Sequence, residues 1–349
     1  MKEQALLRPT LSISLLLTAA LFLLPQVLVA PLEPPVRSPE APVASQPLAS
    51  TTPVVPEPLP IPVLATPLDP QVTLQVLRDG QCVDMTLEHY LRGVLRAEMP
   101  ASFAPEALKA QAVAARTYTL YKLQGGSNHP EPVDICTDPG CCQAWLAEAN
   151  ARQNWGGSAD AYEAKIRAAV SETDGQAMYY GGQPILAAFH SSSSGLTRPA
   201  GQVWQNDLPY LQAATSPEDG DNIPNYHSRV EFTAEGFRGA VLAACPEADL
   251  SGGMTDWLSG AVTDSAGNVD RLSVGGVSMR GTRLRSILGL RSACFDWTVE
   301  DEKLVFFVTG YGHGVGMSQY GANAMANSGA TWQEILTHYY TGISIHSFQ

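Results

Sequence analysis

A chain of 349 residues with 34 acidic and only 21 lysine and arginine side chains carries a formal net charge of −13, which argues against nucleic acid or another polyanion as its partner. With 45% hydrophobic residues it can build a large core in one or two domains.

Lys2 and Arg8 precede a run from Leu11 to Ala30 that carries no charge. A basic start followed by about 20 apolar residues predicts an export signal or a membrane anchor over residues 1–30. The remainder is therefore expected outside the cytoplasm, anchored to the membrane or secreted to the periplasm or wall. Pro31, a poor residue just past a cleavage site, favours the uncleaved anchor. Residues 31–70 hold 13 of the 26 prolines and no aromatic side chain. This composition reads as a linker without packed structure. In polyproline II form, at about 3.1 Å per residue, it would reach on the order of 100 Å; the alternative is plain low-complexity sequence with no reach function.

From 71 onward the pattern becomes that of an α+β fold, in which helices and antiparallel strands form a main body with a smaller α/β insertion at about 230–303. Val72, Leu74 and Val76 alternate into a strand that ends at Asp79-Gly80. Leu87, Tyr90, Leu91, Val94 and Leu95 then form one apolar helix face, and Pro100 must stop that helix near Glu98. A carboxylate at the negative end of a helix dipole is disfavoured by about 0.3–1 kcal/mol, so Glu98 is placed to hold a proton. A second, alanine-rich helix begins at Pro105 and runs to about Leu123, with Lys109 and Arg116 on one side and Gln111 round from them. Read from periodicity alone, this is an ordinary helical hairpin with solvated charges.

Six cysteines stand at 82, 136, 141, 142, 245 and 294. His129 with Cys136, Cys141 and Cys142 offers four ligands for a closed, structural zinc site; disulfides are the alternative in an exported chain. Cys245 and Cys294 are candidates for a separate bridge, and Cys82 for a buried free thiol.

Helices are expected over Trp145–Arg152 and Ala161–Glu172. Strands around Gly181-Gly182 lead into His190-Ser191-Ser192-Ser193-Ser194-Gly195. Trp204 and Tyr210 are candidate sugar-stacking rings, although such aromatics are more often core. In the insertion, strands flank Gly267-Asn268 and Arg283–Leu288 looks helical. The strand Leu304–Thr309 delivers Gly310-Tyr311-Gly312-His313-Gly314-Val315-Gly316, whose glycines let backbone approach a ligand closely. No lysine follows, so a phosphate loop is not supported. Ser318 caps the next helix, and Thr331 with Glu334 forms a capping box for the last.

Two of these segments carry a family resemblance. Glu98-Met99-Pro100 followed by EALKAQAVAARTY (Glu106–Tyr118), and GYGHGVGMSQYGANAMA (Gly310–Ala326), resemble the two signatures of the stage II sporulation protein D family, which includes the amidase-enhancer proteins. The resemblance spans roughly residues 70–349. It implies a peptidoglycan lytic transglycosylase acting on glycan strands stripped of peptide, with Glu98 as the single acid and base. It also makes Lys109, Gln111, Arg116, His190, Ser192, Ser193, His313, Ser318 and Gln319 candidates for substrate contact. No cofactor is required for such cleavage, and some members hold a Cys/His metal in this part of the fold. The expected partners are peptidoglycan glycan strands, a cell-wall amidase and, through the N-terminal segment, the membrane. Two other readings stay open: a non-catalytic glycan binder that enhances an amidase, and a plain hydrolase.

Overall fold

The computed structural model describes residues 66–126, 129–130 and 132–348. The expected anchor and the spacer up to residue 65 lie outside the described residues. Among those described, no helix is long and apolar enough to cross a membrane. The folded unit begins before residue 71, because Asp69 is already buried in it.

Strand β1 (Thr73–Arg78) points Leu74 and Val76 into the core and turns at Asp79-Gly80, both at positive φ, into the antiparallel β2 (Gln81–Thr86). The Thr86 side chain accepts from His89 N and so caps α1 (Leu87–Glu98), whose predicted apolar face is fully buried. Met99 leaves the helix at φ −127°, ψ 135°, the extended geometry that a following proline imposes.

Helix α2 (Pro105–Tyr121) is the central rod. Its alanines at 107, 110, 112, 114 and 115 are all buried, because small side chains let neighbouring elements approach from several sides. After β3 (Ile135–Cys136), which adds to β1 in parallel, come α3 (Glu148–Trp155) and α4 (Ala159–Ser171). Helix α3 starts three residues later than the pattern suggested. Trp145 instead lies flat on Gly93, where any β-carbon would fall 1.9 Å from its indole nitrogen.

The hairpin β4 (Gln176–Tyr180) and β5 (Gln183–Pro184) turns at Gly181-Gly182 as expected, but regular strand then lapses until the short β6 (Phe189–His190). A single helical turn, α5, covers Ala200–Val203.

Residues from Phe237 to Val308 build a second core, around Phe237, Trp257, Leu272, Leu284 and Phe306. Its elements are β7 (His227–Thr233), α6 (Ala234–Ala244), β8 (Leu258–Thr263), β9 (Val269–Val274), β10 (Val277–Arg280), α7 (Gly281–Leu288), β11 (Phe295–Glu300) and β12 (Lys303–Thr309). They form two antiparallel sheets, ordered β10-β9-β8 and β11-β12-β7. The chain then returns to the first core through β13 (Met317–Ser318), parallel to β6, followed by α8 (Gln319–Asn327), α9 (Trp332–Tyr339) and β14 (Ser344–Ser347), which pairs with β4. The predicted capping box of Thr331 and Glu334 is present at α9. The architecture is one of mixed helices and sheets, mainly antiparallel, with two short parallel pairings.

Candidate functional site

Glu98 stands at the last residue of α1 with its side chain turned into three adjoining cavities of about 350, 320 and 320 Å³. Its Oε1 accepts from the backbone N–H of Ala144 at 2.9 Å, and the Gln319 side chain hydrogen-bonds the same carboxyl. Burial raises the Glu98 pKa above the ordinary carboxylate value and outweighs these two hydrogen bonds, which pull it down. Behind Gln319, its Nε2 donates to Gln111 Oε1 at 3.4 Å, so a file of polar groups runs from the carboxyl back to α2.

Among the described residues, Glu98 is the only acid lining these cavities. The acids on its flanking helices are engaged elsewhere: Glu88 pairs with Arg92, and Glu106 pairs with Lys109 and accepts from Trp332 N.

The wall opposite carries two imidazoles. His190 and His313 have ring centres 5.6 Å apart, and Trp204 lies 5.4 Å beyond His313. Burial, added to by the nearby Arg285 charge, pulls His190 down to about 4; burial, then His190 and Arg285, pull His313 down to about 3. Both are neutral at physiological pH. His190 Nδ1 donates to Val315 O at 3.2 Å, which leaves its Nε2 a bare acceptor with no partner among the described residues. His313 Nδ1 accepts from Val315 N at 3.1 Å.

The glycine run is shaped by close approach to this wall. Gly312, at φ +124°, would place a β-carbon 2.6 Å from that of His190, and one on Gly316 would fall 2.0 Å from Ala188 O.

The structure thus brings Glu98, His190, His313 and Gln319 to one cavity system, with Gln111 just behind. Five other expected contacts lie elsewhere. Arg116 is fully buried on the far side of α2 and pairs with Asp69 at 2.6 Å. A lone guanidinium within an alanine-rich helix needed an acid, and Asp69 supplied it. Lys109 is tied to Glu106 and Glu172 at 2.8 and 2.7 Å. Ser192, Ser193 and Ser318 are buried, and the last two turn inward to Glu218: its Oε1 accepts from Ser193 N, Ser193 Oγ and Ser318 Oγ at 2.6, 2.9 and 2.8 Å. In their place Ser191 lines two of the cavities. Glu218 and Ala144 had no motif to announce them. Trp204 was legible only as an aromatic that reads more often as core.

His129, Cys136, Cys141 and Cys142 place one ligand atom each within 4.8 Å of one another. His129 Nε2 is 3.4 Å from Cys142 Sγ and 3.5 Å from Cys141 Sγ, and the two sulfurs are 3.9 Å apart. A tetrahedral zinc with bonds of about 2.0–2.3 Å separates its ligands by roughly 3.5–3.8 Å, so the donor set fits one ion with no position left open. The cluster is tied to the helices by Tyr90 Oη, which donates to Cys136 O at 3.0 Å, and Tyr118 Oη, which donates to Cys141 O at 3.4 Å. All six cysteines are unbridged, Cys245 and Cys294 included, and Cys82 is exposed rather than buried.

Residues 80–180 match the family model described as "Stage II sporulation protein". Over 263 residues the chain is 36% identical to Stage II sporulation protein D of Bacillus subtilis, covering 75% of each. The protein of the same name from Bacillus amyloliquefaciens is 35% identical, with 75% of this chain and 74% of the relative covered. The Amidase enhancer of B. subtilis is 28% identical over 306 residues, which is 74% of this chain but 40% of that relative. The chain belongs to the stage II sporulation protein D family.

Proposed function

We propose that the protein is an exported cell-wall enzyme that cleaves peptidoglycan glycan strands by lytic transglycosylation, with Glu98 as its acid and base. The observation that carries this reading is the single acid that the described residues place in the cavities. Hydrolysis by the usual route needs two carboxylates set about 5–10 Å apart. A transglycosylase needs one, used twice.

In the first half, protonated Glu98 gives its proton to the glycosidic oxygen as the bond to C1 of muramic acid breaks. In the second, the Glu98 carboxylate takes the proton of the C6 hydroxyl while that oxygen closes on C1, giving the 1,6-anhydro ring. Each step leaves Glu98 ready for the other. Burial raises its pKa and favours the first half, while the hydrogen bonds from Ala144 and Gln319 stabilise the carboxylate for the second. His190 and His313, both neutral, do not compete for the proton, and His190 Nε2 offers a free acceptor edge. Trp204 supplies an aromatic face for a sugar ring. His129, Cys136, Cys141 and Cys142 would hold a structural zinc, which would fix the loop from which the Ala144 amide reaches Glu98. These roles suit a substrate outside the cytoplasm.

Glu98→Gln should lower cleavage of peptide-free glycan strands by about 10²–10⁴-fold, and mass spectrometry of the wild-type products should find anhydro ends. Reducing ends, or near-normal cleavage by the variant, would sink the assignment. The similarity to the Amidase enhancer favours one second reading, in which the groove binds glycan and aids an amidase without cutting. Enhancement retained in full by Glu98→Gln would bring that reading forward.

A further inference from the structure

A cleft of about 580 Å³ adjoins the Glu98 cavities and shares Trp204 and His313 with the 350 Å³ one. Its other wall comes from the second core and presents Arg271, Arg280, Arg283 and Arg285, with Ser278, Thr282 and Ser286 between them and no acidic side chain. Four arginines converge here in a chain of net charge −13. None of the four forms an ion pair among the described residues, whereas the buried Arg96, Arg116 and Arg198 do.

Arg283 donates to Ala244 O at 2.8 Å and Arg285 Nε to Leu290 O at 3.2 Å, which fixes both stems and leaves further guanidinium donors without a partner among the described residues. Arg285 is half-buried, and its charge reaches His190 and His313, whose pKa values it helps to depress. A partly dehydrated, unpaired guanidinium beside hydroxyl donors is a receptor for an oxyanion.

We propose that this cleft is an anion subsite that binds carboxylate groups of the strand whose neighbouring linkage lies at Glu98. The inference rests on the glycan-cleaving reading. The only ionisable group of such a strand is the lactyl carboxylate of muramic acid, and it is charged only where no peptide is joined to it. A peptide converts that carboxylate to a neutral amide and adds bulk, so the arginines select for bare muramic acid by charge as well as by space. The shared Trp204 and His313 make one continuous path for the two sites.

The test uses the full chain and the double variant Arg271→Gln/Arg280→Gln, two exposed positions outside both cores. Affinity is measured for peptide-free wall strands, the same strands with carboxyls converted to methyl esters, and neutral N-acetylglucosamine oligomers. The proposal expects the wild type to bind the carboxylate strands more tightly than the esters, with the preference weakening in salt and reduced about 10- to 100-fold in the variant. Ester and neutral strands should bind both proteins alike. Equal binding of carboxylate strands by wild type and variant, or of ester and carboxylate strands by the wild type, overturns the subsite while leaving the glycan reading intact. Failure of the wild type to bind any of the three overturns the glycan reading itself. A preference for a phosphate polymer over carboxylate strands would overturn the assignment to muramic acid.

Discussion

The backbone amide of Ala144 donates to Glu98 Oε1 at 2.9 Å, and Ala144 stands two residues beyond Cys142. The loop that carries this donor is thus held by the same cysteine cluster that fits a zinc ion. Elemental analysis should find about one zinc per chain, and all six thiols should titrate once the metal is stripped and the chain unfolded. Cys142→Ser should lose the metal, lower the melting temperature and reduce cleavage. A chain with no metal and four or fewer titratable thiols would be disulfide-bridged instead.

Glu98 yields two predictions of opposite sign from one cause. The proposed proton-donor role requires a protonated Glu98, so the rate should fall as pH rises through its raised pKa. Gln319→Leu removes a hydrogen bond that lowers that pKa, and the alkaline limb of the pH–rate profile should move further up. For stability, a folded-state pKa above the unfolded value means that stability is fully present below the unfolded pKa and is lost as pH rises through the folded one. Above that folded pKa the ionised, dehydrated carboxylate strains the fold. Glu98→Gln should melt about 1–3 °C higher than the wild type at pH 7 while losing activity, and this excess should vanish near pH 4.

His190 and His313 run the other way. Their folded pKa values, about 4 and about 3, lie below the ordinary histidine range. The stability they confer is fully present above the unfolded value near 6.5 and is lost as pH falls towards the folded ones. His190→Asn should flatten the fall in melting temperature between pH 6.5 and 4, and NMR of the wild type should show neither ring charging between pH 8 and 5.

The Arg116–Asp69 pair is structural. Burial raises the Asp69 carboxyl more than Arg116 lowers it, so the pair is costly to bury and costlier to break. Arg116→Met should lose about 3–5 kcal/mol in denaturant unfolding. The part that stays folded should cleave with an unchanged kcat, since Arg116 lies away from the Glu98 cavities; a selective fall in kcat would return Arg116 to the site.

Helix α1 and its stop were legible because a periodic apolar face and a proline leave few alternatives: Leu87, Tyr90, Leu91, Val94 and Leu95 are all fully buried. Side-chain direction on α2 was not. Lys109 and Arg116 look like exposed cations in the sequence, and only the distant acids Glu172 and Asp69 decide where they point. The serine loop failed for the same reason. A run of hydroxyls does not say which will face a ligand, and Glu218, 25 residues downstream of Ser193, turned two of the expected contacts inward. The arginine cleft is hidden more thoroughly, because its residues come from two strands and a helix within an acidic chain.

The second core enters at His227 and leaves at Thr309, and these two residues face one another across the β7–β12 pair. Its ends therefore meet side by side, as in a cassette clipped into a loop. Relatives could exchange, enlarge or shed this cassette without moving Glu98, because none of the residues that hold the Glu98 carboxyl lies within it. Evolution can thus retune the arginine cleft while the Glu98 site is inherited unchanged.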